Sequence, residues 1–149
     1  MNYEINETHD PNLKSWVESA NDPNTDFPIQ NLPFCAFTNK RGNHKELGCL
    51  IGDYVIDFSV LVAGQTLTNE DMHPIYFEDL SKWTTERFSK LRRVISEALR
   101  DGAQTSKRQE IEVSLIPRTE CVFTTPYFKI GDYTDFYCSI YHATNVGSM

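Results

Sequence analysis

The 149-residue sequence has no C-x-x-C pair; its four cysteines, Cys35, Cys49, Cys121 and Cys138, stand singly. A disulfide framework or a structural zinc site needs paired cysteines or cysteine–histidine sets at ligand spacing. Neither pattern is present, and no two of His9, His44, His73 and His142 have that spacing either. The opening residues Met1-Asn-Tyr-Glu-Ile-Asn-Glu contain no apolar signal core, so free thiols in a reducing, cytoplasmic compartment are expected. No apolar run approaches the ~20 residues needed to cross a bilayer, so no membrane role is expected. A P-loop, a G-x-G-x-x-G turn and a G-x-S-x-G elbow are all missing, which removes the common phosphate, dinucleotide and serine-nucleophile signatures. Clustered positive charge is scarce too. Net charge is −7, and the one basic run, Lys90-Leu91-Arg92-Arg93, lies in a helical pattern as its solvated face. Nucleic-acid binding is therefore not expected.

What remains is an ordinary globular composition, 40% hydrophobic and 23% charged, with seven glycines and seven prolines. The length suits one domain, or one small domain plus a piece of another. Between Asp10-Pro11 and Asp22-Pro23, Leu13, Trp16 and Val17 fall at helical spacing and suggest a short helix. In Asp26-Phe-Pro-Ile-Gln-Asn-Leu-Pro-Phe34 two prolines enforce extended backbone. Phe34 to Thr38 then reads as a strand. The clearest hairpin is Leu47 to Phe58, where two β-favouring runs flank Gly52-Asp53. Asp57-Phe58-Ser59 would end its second strand and lead into Val60-Leu61-Val62. The clearest helix runs from Thr84 to Arg100, with Phe88, Leu91, Val94, Ile95, Ala98 and Leu99 on one stripe. Thr84 or Thr85 is placed to cap it and Gly102 to terminate it. Residues 101–109 read as a polar loop. Ile111, Val113 and Leu115 alternate with Glu112 and Ser114 as a half-buried strand ended by Pro117, and Cys121 to Phe123 is another short strand. The fold class implied is mainly β with one helix (α+β). Six short strands around that helix favour a small barrel or roll over a parallel α/β sheet.

Chemistry-bearing side chains concentrate in Ile130 to Met149: Asp132, Tyr133, Asp135, Tyr137 and His142, with several hydroxyls. Asp132 and Asp135 offer oxygen ligands to a hard cation. His142 has the reference pKa for proton transfer near neutrality. Asp135 and His142 need a bend or a helix-like path to meet. On spacing alone the plain reading prevails: turn or cap aspartates, core tyrosines and a surface histidine.

Three ordered blocks alter that balance. Gly131-Asp-Tyr-Thr-Asp-Phe-Tyr137 followed by His142-Ala-Thr-Asn-Val-Gly147 resembles the start of the catalytic domain in the fumarylacetoacetase family. Asp26 to Phe34 and Ile51 to Val60 resemble the same family in the same order. The resemblance implies a polar segment over 1–25, a small SH3-like barrel over 26–122, and the truncated start of a β-roll catalytic domain over 123–149. It implies metal-dependent hydrolysis of a C–C bond in 4-fumarylacetoacetate, giving fumarate and acetoacetate at the end of tyrosine and phenylalanine breakdown. It further implies Ca2+ and Mg2+ as cofactors and a homodimer. By matched position, Asp135 would be a metal ligand, Tyr137 a substrate contact, His142 the general base and Asp132 a structural residue. Ile140 and Tyr141 depart from the family, which usually has a basic and then a polar residue there. The expectation is a fragment that is inactive alone. The alternative is a non-catalytic barrel module that binds a protein partner.

Overall fold

The computed structural model describes residues 5–40, 44–64, 82–124, 131–132 and 134–149. Its framework is five antiparallel strands: β1 (Phe34–Asn39), β2 (Lys45–Ile51), β3 (Tyr54–Asp57), β4 (Leu115–Pro117) and β5 (Cys121–Thr124). They lie in the order β4-β3-β2-β1-β5. Four helices accompany them among the described residues: α1 (Phe58–Ala63), α2 (Thr85–Leu99), α3 (Thr105–Ser114) and α4 (Ile140–Gly147). The α+β class and the barrel-type sheet stand as expected, with more helices than the single one anticipated.

The hairpin forms at Gly52-Asp53. Gly52 has φ +51, the left-handed region that glycine enters without a Cβ penalty. A Cβ there would also sit 2.3 Å from Ser19 Oγ and 2.6 Å from Ala20 N, so the turn is wedged against the N-terminal segment. Gly52 N–H donates to Phe27 C=O at 2.8 Å and Leu50 N–H to Pro33 C=O at 3.0 Å, which docks the proline-bounded block along β2.

Connectivity forces the sheet to curl. The edge strands β4 and β5 are joined only by the three-residue 3-10 turn Arg118–Glu120. In a flat sheet of this order they would lie about 19 Å apart, at ~4.8 Å per strand spacing. The four Cα–Cα steps from Pro117 to Cys121 reach at most about 15 Å. Bending the sheet removes the mismatch and encloses a small inner core of Phe37, Val55 and Cys121, backed by Cys35, Leu50 and Ile116. The alternate residues Ala36, Leu47, Cys49, Ile51 and Ile56 face outward into a larger core with α2 and the N-terminal segment. Phe34 joins β1 to α1 and α2 at that core, with ring centroids 5.8 Å from Phe58 and 5.7 Å from Phe88.

Helix α2 starts as expected, with the Thr84 side chain accepting from Arg87 N–H at 3.3 Å, and buries Leu91, Ile95, Ala98 and Leu99. Its end differs. The helix stops at Leu99, and Gly102, at φ +81, turns the chain only afterwards. The terminal carbonyls are met by an N-terminal strap: Ser15 Oγ donates to Leu99 C=O at 2.9 Å, and Trp16 Nε1 to Ala98 C=O at 2.9 Å. These donors satisfy acceptors that a helix end leaves open. The short helix expected around Leu13–Val17 is therefore replaced by extended backbone bridging Ser15 to Arg100, followed by a 3-10 turn, Glu18–Asn21. An isolated helix that short is unstable in water, and the carbonyls of α2 are better partners. Arg92 fastens the same segment, donating through Nε to Thr8 Oγ1 at 3.1 Å and through Nη2 to Gln30 C=O.

The reading of residues 101–115 is corrected as well. Residues 105–114 form α3, not a loop and a strand: Ile111 and Ser114 are buried one turn apart, Val113 is 75% exposed, and Arg108 pairs with Glu112 at 2.9 Å. The apolar alternation belonged to a narrow helical face, and the strand is only Leu115–Pro117. Val60–Val62 is helical because Asp57 caps α1, accepting from Ser59 N–H at 2.8 Å and Ser59 Oγ at 2.7 Å.

Gly48 tests the curl. An added Cβ would lie 2.4 Å from Ile56 O, 2.8 Å from Val55 Cγ1 and 3.0 Å from Phe37 Cε1. Gly48→Ala is expected to destabilise the chain by about 1–3 kcal/mol, as overpacking does, read as a fall in thermal midpoint; an unchanged midpoint would contradict the closed inner core. Ser15→Ala removes a buried hydroxyl that serves both Leu99 C=O and Val17 N–H. It is expected to cost about 1–3 kcal/mol, measured by urea unfolding.

Glu46 supplies a pH dependence. Partial burial raises its pKa, the neighbouring Asp57 carboxylate raises it further, and His44 opposes both. A raised carboxyl keeps its proton longer in the folded chain than in the unfolded one. Its stabilising contribution is thus full below the ordinary glutamate range and is lost as pH rises through the raised value. Glu46→Gln should therefore stabilise the chain slightly at pH 7, by an amount reduced by solvent screening, and the gain should vanish in acid. Melting curves across that window check it.

Candidate functional site

Beyond the sheet, the described part of 131–149 holds one regular element. The backbone of Ser139 is extended (φ −132, ψ 128), its carbonyl accepts from Ala143 N–H at 3.0 Å, and its hydroxyl accepts from His142 N–H at 3.5 Å. Helix α4 starts there and closes at Ser148, whose N–H donates to Thr144 C=O at 3.0 Å. Thr144 Oγ1 also donates back to Ile140 C=O at 2.8 Å. None of its residues is buried: Ile140 is 75% and Tyr141 81% exposed.

The chain bends at Cys138, just before Ser139, and two of the candidate residues come together. The rings of Tyr137 and His142 meet edge to face, with centroids 5.1 Å apart and planes at 64°. Tyr137 is 57% exposed and His142 is exposed, so neither is a core side chain. Asp132 and Asp135 are exposed as well. Among the described residues, no three His, Cys, Asp or Glu side chains gather as a metal ion would require. Tyr133 lies outside the described residues, as does His73. The arrangement presents an imidazole and a phenol side by side on an open surface. One carboxylate, Asp135, cannot satisfy a calcium ion that takes six to eight oxygens, so these residues alone do not fit a complete metal site.

Ser139 is the residue that spacing arguments passed over. Its signal was present: a serine immediately before Ile140-Tyr141-His142 is a helix N-cap pattern.

The basic run Lys90–Arg93 is more than a solvated face. It helps line a groove of about 810 Å³ with His9, Asn6, Thr84 and Arg87. Its cations have structural tasks: Arg92 ties down the N-terminal segment, Arg93 pairs with Glu7 at 3.0 Å, and Arg87 lies 3.9 Å over the Trp83 ring.

Three of the thiols are poor nucleophiles. Burial, with Cys121 nearby, pushes the Cys35 thiol up to about 12. Burial likewise raises Cys49 well above its usual range, and raises Cys121 with help from the Glu120 and Asp57 carboxylates. Cys138 alone is exposed. Since the thiolate is the reactive form, brief alkylation of the native chain near pH 7.5 is expected to modify Cys138 well before the other three. Peptide mass mapping reads the order, and early labelling of Cys49 would contradict the packed core.

Among the described residues, no helix is long and apolar enough to cross a membrane. A family model described as fumarylacetoacetase N-terminal matches residues 30–126. The chain is 34% identical over 143 residues to a fumarylacetoacetase of Dictyostelium discoideum, an alignment covering 92% of this chain and 33% of that protein. It is 32% identical over 150 residues to one of Caenorhabditis elegans (92% and 34%) and 34% identical over 147 residues to one of Bos taurus (91% and 33%). The chain thus spans about a third of the length of the curated relatives it matches.

Proposed function

The chain belongs to the fumarylacetoacetase N-terminal family, and on that premise we propose that it supplies the barrel and the first active-site residues of a C–C bond hydrolase acting on 4-fumarylacetoacetate. The relatives it resembles are named for a hydrolase. The observation that carries the site-level reading is the packing of Tyr137 against His142, with ring centroids 5.1 Å apart, beyond the end of the matched region. In this reading the chain divides into a polar segment over 1–25, the barrel over 26–122 and the opening of the catalytic domain over 123–149.

The chemistry follows from the side chains. His142, as general base, takes a proton from water, and the hydroxide adds to the carbonyl on the fumaryl side of the diketone. Collapse of that adduct breaks the C–C bond and passes the electron pair to the neighbouring methylene carbon. The remaining ketone holds that charge as an enolate, and protonation there releases acetoacetate beside fumarate. The Tyr137 hydroxyl donates a hydrogen bond to a substrate carboxylate and holds the diketone against the imidazole. Asp135 is proposed as one ligand of the Ca2+ or Mg2+ that the resemblance implies. The remaining ligands are not among the described residues, so no step is assigned to the metal. Homodimeric assembly and a cytoplasmic setting belong to the same proposal.

Two measurements test it. The chain alone is expected to show no stoichiometric Ca2+ binding by titration calorimetry, because Asp135 offers at most two oxygens; tight binding would refute the incomplete-site reading. The chain joined to the remaining two-thirds of the Dictyostelium relative should hydrolyse fumarylacetoacetate, followed by loss of diketone absorbance. His142→Gln in that chimera should lower the rate by about 10²–10⁴, the usual contribution of a general base. A folded His142→Gln chimera with full activity would overturn the assignment.

A further inference from the structure

We infer that Ser139 is the positioning residue that sets Tyr137 against His142. The two rings belong to different backbone conformations: Tyr137 precedes the turn, and His142 lies in the first turn of α4. Ser139 stands between them as the N-cap. The chain bends at Cys138, and the extended backbone of Ser139 (φ −132, ψ 128) then leads into the first turn. Its hydroxyl accepts from His142 N–H at 3.5 Å and its carbonyl from Ala143 N–H at 3.0 Å, so both of its oxygens are engaged in the first turn. One of those bonds falls on the backbone of the histidine itself. The ring contact at 5.1 Å and 64° is the product of that bend.

The cap carries unusual weight here because little else holds the helix. Most helical stability in proteins comes from burying an apolar face, and helices below about 12–15 residues are marginal in water without it. Helix α4 has eight residues and none is buried. Its starting point is therefore set by local terms, the cap at Ser139 among them. Loss of the cap would let the first turn fray, moving the His142 backbone away from the segment that carries Tyr137. Thr144 Oγ1 bonds back to Ile140 C=O and Ser148 Oγ to Asn145 C=O, and neither bond ties the first turn to the residues before it.

That Ser139 serves hydrolysis depends on the catalytic reading of His142; that it fixes the ring pair does not. The test uses the 149-residue chain, labelled for NMR, as wild type, Ser139→Ala and Ser139→Asp. Alanine removes the acceptor and is expected to lower the helix-to-coil ratio of 140–147 about fivefold, the size of an N-cap serine loss. The Tyr137–His142 ring NOE and the ring-current shift of the His142 protons should disappear with it. Aspartate restores an acceptor and should restore both signals. Barrel amide shifts, unchanged in all three, exclude global unfolding. An alanine variant that keeps the ring NOE, or an aspartate variant that fails to recover it, would overturn the inference. Neither readout involves turnover. An active His142→Gln chimera would therefore remove the catalytic reading and leave this packing claim intact, and the reverse also holds.

Discussion

A link of three residues, Arg118–Glu120, ties the last strand on one edge of the sheet to the last strand on the other. It is too short for a flat sheet, and that shortage of length shapes the whole domain. The strands must curl, and curling gives them two buried faces where an open sheet would have one. The inner face has room only for Phe37, Val55 and Cys121 and a few partly buried neighbours, so glycine is needed at position 48. The link is held at both ends. Arg118 N–H donates to Asp53 C=O at the hairpin tip, and Glu120 C=O accepts from Lys40 N–H beyond β1, each at 2.9 Å. Its guanidinium also reaches Asp53 at 3.4 Å and lies 4.9 Å over the Phe27 ring. The turn, the hairpin and the proline-bounded block therefore form one unit.

The outer face depends on a second kind of closure. Helix α2 covers it, and the polypeptide before the barrel covers α2. Trp16 and Ser15 occupy the carbonyl end of the helix, while Arg92 and Arg93 reach back to Gln30, Thr8 and Glu7. The polar opening of the chain is thus a structural belt: its side chains complete hydrogen bonds that the barrel and helix leave open.

Much of this could be read from residue order, for local reasons. Gly52-Asp53 between two β-favouring runs is a local hairpin signal, and the stripe from Phe88 to Leu99 is a local helical one. Cys121 to Phe123 was legible for the same reason. Residues 105–114 were not. Ile111, Val113 and Leu115 fit both a strand and a short amphipathic helix, and only burial of Ile111 beside Ser114, with Val113 left in solvent, separates the two. The belt was illegible because its partners are distant in sequence, so Leu13, Trp16 and Val17 suggested a local helix. At the candidate site, residue identities in 131–149 supported the family resemblance, but the pairing of Tyr137 with His142 depends on a bend. The cap at Ser139 follows that bend directly, and its signal is local, a serine just ahead of the helical run.

The belt also bears on how the chain is made. The hydroxyl of Ser15 and its acceptor on Leu99 are 84 positions apart. A ribosome adding about 5–20 residues per second leaves the belt without its partner for roughly 4–17 s. During that interval the N-terminal residues have no α2 carbonyls to meet, whereas the contacts of the hairpin are local. Their polar makeup, with Asn12, Lys14, Ser15 and Asn21 around a single tryptophan, suits a segment that is synthesised before its partner and docks late.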